Sequence, residues 1–523
     1  MAYDIIIKSG TVLDGSGKKS FTADIGLKGD KISAIGDLSN SSAETIIPAS
    51  GRYITPGFID ITNHSDTHLT IFKYSFQESL VAQGVTTIIG GNCGTSLAPL
   101  ADESIIHSIQ KWTDPSDINV DWLSFEEFLT SLEKKGLGVN FGSFVGLGTL
   151  RRGAVMDVSK PAGAEERQKM RLMLEASLDA GAFGLSSGLA YSHEKNASEE
   201  ELISIVKILK NDFVYSVHIR SEGKEFLASV NEVLRIARES GARLHISHLK
   251  AIGRKSWQNF QPALKMIDSA VSSGIDVTFD QFPYRRTGSL LYLLLPSWVR
   301  DGGFGQMFEK FRNPEELKNI ISELKNITLH YDKIVISTAK NKSIVGKTIL
   351  EIADSSGIDP ENALLDILLA NEGHITIFGR TLSMKNFLSG LSSKFSILSS
   401  DGAGFSTDER GSGDLVHPRC FGAFPHFLHK FVSERKVLTW EDAIKKITSM
   451  PAEKLGIKKR GRIEEGYFAD LTVFDPVALK DRATYRNPYL YPLGMGWVLI
   501  NGQVVFERGK FSNKKAGRIL RKS

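Results

Sequence analysis

The chain has 523 residues, 41% hydrophobic and 24% charged, proportions that belong to a folded globular protein and exclude a disordered, collagenous or fibrous one. Lys and Arg (64) nearly balance Asp and Glu (60), and the formal charge of +4 gives no ground for a nucleic-acid partner. Two cysteines, Cys93 and Cys420, cannot build a disulfide framework or a four-thiolate zinc site.

The N-terminus, Met1-Ala-Tyr-Asp-Ile-Ile-Ile-Lys, places an acid and a lysine where a signal peptide needs an unbroken apolar core. The expected location is the cytoplasm, where both thiols stay reduced. Short β runs cover 4–8, 24–28 and 31–35, the last two joined by a Gly29-Asp30 turn. From residue 56 the pattern changes to short apolar β runs alternating with amphipathic helices. Strands are predicted to begin near Gly57, Val85, Val139, Phe183, Phe213, Arg243, Asp276 and Phe395. Met170, Leu174, Ser177 and Leu178 share one helical face between them, as do Leu227, Val230, Leu234 and Ala237. Strand–helix units of this kind, eight in number, predict a (β/α)8 TIM-like barrel with its site at the C-terminal strand ends. The gap between the seventh and eighth strands is too long for one crossover, and 287–345 is read as an inserted lid subdomain. The most apolar run, Leu290 to Leu295, is cut by Pro296 and is far shorter than a membrane span.

Toward the C-terminus the β texture returns at 469–474 and 497–506, with Asn501-Gly502 as a hairpin turn. Either terminal set alone has too few strands for a stable sheet. One small β-sandwich domain built from 1–55 plus 458–523 is therefore expected, with the barrel, 56–457, inserted between its halves. The basic stretch from Lys510 to Lys522 reads as a solvated tail.

Reactive side chains gather where the predicted strands end. His64 follows the first strand, Cys93 the second, His218 the fifth, His248 the sixth and Asp401 the eighth. A lone strand histidine or cysteine is more often a core residue than a ligand, and Asp401 before Gly402 suits a turn. Five such residues converging on one barrel mouth favour a metal set, and two imidazoles with a thiolate suit zinc with a fourth position open.

Several motifs resemble a known family. Pro56-Gly-Phe-Ile-Asp60 after an N-terminal β segment is similar to the amidohydrolase superfamily. Gly90-Gly-Asn-Cys93-Gly, Gly184-Leu-Ser-Ser-Gly-Leu-Ala-Tyr191, His218-Ile-Arg-Ser-Glu-Gly223 and Ser247-His248-Leu-Lys250 resemble the D-aminoacylases, the N-acyl-D-amino-acid deacylases. So do Phe282-Pro-Tyr284, Ser400-Asp401-Gly402 and His417-Pro-Arg419. The Asn-Cys-Gly element is the most specific, because most amidohydrolases bridge their metals with lysine or glutamate.

The resemblance implies that Cys93, His218 and His248 hold one tightly bound zinc and that Asp401 is the general acid/base. It implies that Lys250, Tyr284 and Arg419 contact substrate carboxylate or amide. Ser289 is the candidate for the family's substrate-binding serine, although Arg285-Arg-Thr-Gly-Ser289 is one residue longer than expected. The superfamily's His-x-His at the first strand is here Thr62 and His64, which leaves His64 to a weak second metal site. His68 could compensate only if that loop were helical. The implied activity is zinc-dependent hydrolysis of N-acyl-D-amino acids, small-molecule substrates, with no nucleic-acid or membrane partner. Two alternatives keep the site and change the substrate, to a cyclic amide of the hydantoin or dihydroorotate kind or to an acylated peptide end. A third, suggested by Thr62, is a non-catalytic barrel that serves as a binding module.

Overall fold

The computed structural model describes residues 2–108, 118–300, 302–327, 329–512 and 514–522. Eight strands form the barrel wall: β1 (Phe58–Asp60), β2 (Val85–Gly90), β3 (Asn140–Ser143), β4 (Gly184–Gly188), β5 (Val214–His218), β6 (Arg243–Ile246), β7 (Val277–Gln281) and β8 (Ser396–Leu398). Each begins within a residue or two of its predicted start. β2, Val-Thr-Thr-Ile-Ile-Gly, is buried at every position, as expected of a parallel strand covered on both faces. Parallel ladders join β1 to β3 and β4 to β8. The two sets meet through Phe183 N donating to Ser143 O (3.0 Å), and through Asp401 N donating to Thr62 O (3.0 Å) with His64 N to Gly402 O (2.8 Å). Between strands, helices such as Phe226–Ser240 bury Val230, Val233, Leu234 and Ala237 against the wall, and this one ends at Gly241 in the left-handed region.

The termini form one continuous sheet of nine strands around Ile7, Ile25, Leu27, Ile54, Leu471, Val473 and Trp497. Its two halves meet where Tyr53–Pro56 runs antiparallel to Leu471–Phe474. Met495–Ile500 and Gln503–Glu507 pair across Asn501-Gly502, both at positive φ, the backbone that a two-residue hairpin of this type requires. The extreme C-terminus does not behave as a solvated tail. Phe141 N donates to Arg518 O (2.9 Å), Leu520 N to Phe141 O (2.7 Å) and Lys522 N to Gly181 O (2.9 Å), so the segment fills the seam between β3 and β4. Its basic side chains meet acids there, Arg518 with Asp30 (2.6 Å) and Arg521 with Glu126 (3.6 Å) and Glu133.

The lid subdomain has its own antiparallel sheet, Thr287–Leu290, Ile334–Thr338 and Thr376–Gly379, and its own core around Leu291, Ile320, Leu324, Ile336, Ile349 and Leu364. It therefore runs from 287 to 379, past the expected 345. The helices Ile349–Ser356 and Pro360–Ala370 carry the same periodicity as barrel crossovers, so nothing local marks them as lid. Among the described residues no helix is long and apolar enough to cross a membrane.

Candidate metal centre and active site

Three donors meet at the C-terminal mouth of the barrel. The ligand atoms of Cys93, His218 and His248 lie within 4.8 Å of one another, and all three side chains are buried. Cys93 Sγ is 3.3 Å from His248 Nε2, and the imidazoles of His218 and His248 stand edge to face, 4.5 Å between centroids. Cys93 sits at φ +54° and His248 at φ +39°. Non-glycine residues rarely take this backbone, and it is retained where surrounding structure fixes a functional group. Gly91 and Gly94, also at positive φ, flank the thiol; a Cβ at Gly91 would lie 2.0 Å from Phe144 O, so only glycine brings this loop against β3. Burial alone would raise the Cys93 pKa, but His248, His218 and His64 outweigh it and hold the thiol well below its ordinary value. One thiolate and two imidazoles, packed together and dry, fit zinc.

Glu222, not singled out from the sequence, orients this centre. Its Oε1 lies 3.3 Å from His248 Nδ1, 3.7 Å from His218 Nε2 and 2.5 Å from Lys250 Nζ. Burial opposes its ionisation, yet Lys250 and the two histidines keep the carboxyl well below the usual range. Its position four residues after His218, inside a quoted motif, was the only sequence signal. Asp280, on β7, was also missed. Its Oδ1 accepts from His248 N (3.0 Å) and Ser399 Oγ (2.6 Å), and its Oδ2 accepts from Thr62 Oγ1 (2.6 Å) and lies 2.8 Å from His245 Nε2. Thr62 thus spends its hydroxyl on Asp280.

Asp401, at φ +50°, reaches the same mouth from β8. Its Oδ1 is 3.1 Å from His64 Nε2, and its Oδ2 accepts from Arg419 Nη1 at 2.5 Å. Burial would raise its pKa, but Arg419, His248 and His64 hold it well below the ordinary carboxyl value. His64 is raised to about 9: burial opposes this, and the bonds to Asp401 and Cys93 prevail. The geometry therefore brings together Cys93, His218, His248, His64, Asp401, Arg419 and Lys250. Tyr284 stands to one side, stacked on His426 (4.7 Å) and edge-on to His417 (5.2 Å), its buried hydroxyl without a hydrogen-bond partner among the described residues. Ser289 lies on the first lid strand opposite Ile377. His68 packs on Phe405 and does not join the donors. Cys420 is buried nearby, its thiol pushed up to about 11 by burial, as inert as a small apolar residue.

An amidohydrolase family model matches residues 399–506, the stretch that carries Asp401. Across 99% of the chain and 97% of the relative, the sequence is 31% identical to the D-aminoacylase of Alcaligenes xylosoxydans xylosoxydans. The chain belongs to the D-aminoacylase family of amidohydrolases. It is also 30% identical to the N-acyl-D-glutamate deacylase of the same organism, over 99% of the chain and 96% of the relative. The crystal structure of the N-acyl-D-glutamate deacylase of Bordetella bronchiseptica superposes over 100% of both chains, with a TM-score of 0.84 and 28% identity. That structure holds zinc and a phosphonate inhibitor mimicking the tetrahedral intermediate. The D-aminoacylase resemblance of the Asn-Cys93-Gly and Ser-Asp401-Gly motifs thus extends to the whole chain.

Proposed function

We propose that this D-aminoacylase-family enzyme hydrolyses the amide bond of N-acyl-D-amino acids, releasing a D-amino acid and a carboxylate. The observation that carries the reading is the Asp401 carboxylate, kept ionised by Arg419 and His64 at the edge of three buried donors that fit zinc. A barrel that only bound a partner would gain nothing from that arrangement. Cys93, His218 and His248 would hold the zinc, which when bound would supply Lewis-acid polarisation of the scissile carbonyl and of the attacking water. Asp401 takes the proton from that water and returns it to the departing amine. Arg419 spends one Nη on Asp401, and among the described residues its Nε has no hydrogen-bond partner, so the rest of the guanidinium is available to the substrate's α-carboxylate. Lys250 is engaged by Glu222 and His248, and its first task is to fix the His248 ring. Tyr284 lines the wall beside Lys250 and His248.

The test is an assay of N-acetyl-D- against N-acetyl-L-amino acids with metal analysis of the purified protein. Expected are about one zinc per chain, turnover of the D-enantiomer only, and an Asp401→Asn variant that keeps its zinc but loses activity by roughly a thousandfold. Equal rates on both enantiomers, or an active Asn variant, refute the reading.

A further inference from the structure

In the His417-Pro-Arg419 motif the arginine bonds Asp401, while the histidine is buried and spends both ring nitrogens on backbone. Its Nδ1 accepts from Arg419 N at 3.1 Å, and its Nε2 donates to Arg286 O at 3.0 Å. A backbone N–H only donates and a carbonyl only accepts. The two bonds therefore fix one species, the neutral imidazole with its proton on Nε2. The surroundings favour that species: burial and the Arg419 cation hold the ring well below the ordinary histidine value, against the opposing pull of Arg286 O and Asp401.

The two backbone groups belong to different parts of the molecule. Arg286 immediately precedes the first lid strand, Thr287–Leu290, and stands where the chain leaves the barrel. Arg419 opens the helix Arg419–His426 and carries the guanidinium that bonds Asp401 Oδ2. The His417 ring is edge-on to Tyr284 (5.2 Å), to Phe378 (5.3 Å) on the lid's returning strand, and to Tyr485 (5.1 Å) from the loop after Leu471–Phe474. Tyr485 also carries the Arg286 guanidinium on its face, at 4.7 Å. Packed on these sides, the ring is held in one orientation. Two residues before it, Leu415 N donates to Ser337 O (2.8 Å) on the lid strand Ile334–Thr338. The segment that enters Arg419 is thus bonded to the lid and to its stalk. Any aromatic ring would fill this box; only an imidazole also bridges a carbonyl on the lid side to an N–H on the Arg419 side.

We propose that His417 is a positioning residue: it ties the stalk of the lid to the backbone of Arg419 and so keeps the Arg419 guanidinium on Asp401. The proposal rests on the deacylase reading for the work of Asp401 and goes beyond it in making the seat of the lid a condition for that contact. The effect of His417 passes through Arg419.

The zinc-loaded enzyme is compared with His417→Phe, His417→Asn, Arg419→Met and the variant combining His417→Phe with Arg419→Met. The substrate is the N-acetyl-D-amino acid that wild type turns over fastest, and zinc content is measured on the same preparations. Phenylalanine keeps the packing and removes both bonds. Asparagine keeps an acceptor for Arg419 N, since its side-chain oxygen takes the N–H two residues on, and gives up the reach to Arg286 O. His417→Phe should keep about one zinc and lose at least tenfold in kcat/KM, but less than twofold when Arg419 is already Met. His417→Asn should lose at least fivefold. An equal loss in both backgrounds, a His417→Phe enzyme within twofold of wild type, or full activity in His417→Asn overturns the proposal and leaves the deacylase reading intact. If wild type hydrolyses no N-acetyl-D-amino acid, that reading fails. In that case, or if His417→Phe or Arg419→Met cannot be assayed, the rate of tryptic cleavage between Arg286 and Thr287 decides, because the bond cut there carries the carbonyl that His417 holds. Cleavage of His417→Asn at least tenfold faster than wild type supports the tie; equal rates overturn it.

Discussion

Thr62 shows how one side chain sets what the centre can hold. Its hydroxyl donates to Asp280 Oδ2 at 2.6 Å and joins the network that carries His245 and the backbone of His248. His64, 4.0 Å from Cys93 Sγ, is left without a partner imidazole and is tied to Asp401. The wild type should therefore saturate at about one zinc per chain during dialysis against excess zinc, and Thr62→His should rise above one. Metal-to-protein ratios by mass spectrometry check this, and identical ratios for the two proteins would remove Thr62 from the account. The donors themselves were legible in the sequence because histidine, cysteine and aspartate recur where β runs end. Glu222 and Asp280 were not, since a carboxylate acquires its role only when separate strands bring it against a ring nitrogen or an amide.

At the scale of elements, all eight barrel strands were legible as short segments recurring between amphipathic helices, even where, as in Gly184–Gly188, the run holds no β-branched residue. The strand Tyr53–Pro56 was missed: it is four residues long, ends in proline, and is defined by its partner Leu471–Phe474 more than 400 residues away. The helix Trp440–Ile447 makes a subtler contact. Its Lys446 is buried and donates from Nζ to Ser393 O (2.6 Å), Ser396 O (3.1 Å) and Ser396 Oγ (2.8 Å), which pins the helix to the start of β8. Burial, only partly offset by Asp442, lowers its pKa from 10.5 to about 8. Below pH 8 the lysine is charged in both folded and unfolded chains, and the full cost of burial applies. Between about pH 8 and 10.5 the folded chain releases a proton that the unfolded chain keeps, so this residue's contribution to stability rises with pH. Wild type should gain on Lys446→Met by about 2–3 kcal/mol across that window, at about 1.4 kcal/mol per pKa unit. Urea unfolding of both proteins at pH 7.5 and pH 10 measures the gap. A gap that stays constant, or narrows as pH rises, contradicts the assignment.

Over the whole molecule, the terminal sheet and the barrel are joined by one buried polar cluster. Asp470 accepts through Oδ2 from Arg460 Nη1 and Asn140 Nδ2 (3.1 Å), and through Oδ1 from Asn501 N (2.7 Å). Asn501 Nδ2 donates to Asn140 Oδ1 (2.9 Å), which also accepts from Arg518 N (3.0 Å). The hairpin of the terminal sheet, the first residue of β3 and the returning C-terminal segment are thus bonded in a single unit. All of these side chains except Arg518 are buried, so removing one leaves others without partners and away from water. Asp470→Ala, which strands the Arg460 guanidinium, should cost about 3–5 kcal/mol of stability, the range for breaking a buried ion pair. Asn140 stands at the entry of its strand, whereas Cys93, His218, His248 and Asp401 follow the strands' far ends. The loss of stability should therefore come without a change in zinc content or in kcat per folded molecule. Urea midpoints, metal analysis and turnover on one preparation check all three. If Asp470→Ala unfolded at the same urea concentration as wild type, the cluster would not be what holds the two domains together. If it lost zinc while still folded, the domain junction would be coupled to the centre through a route other than these hydrogen bonds.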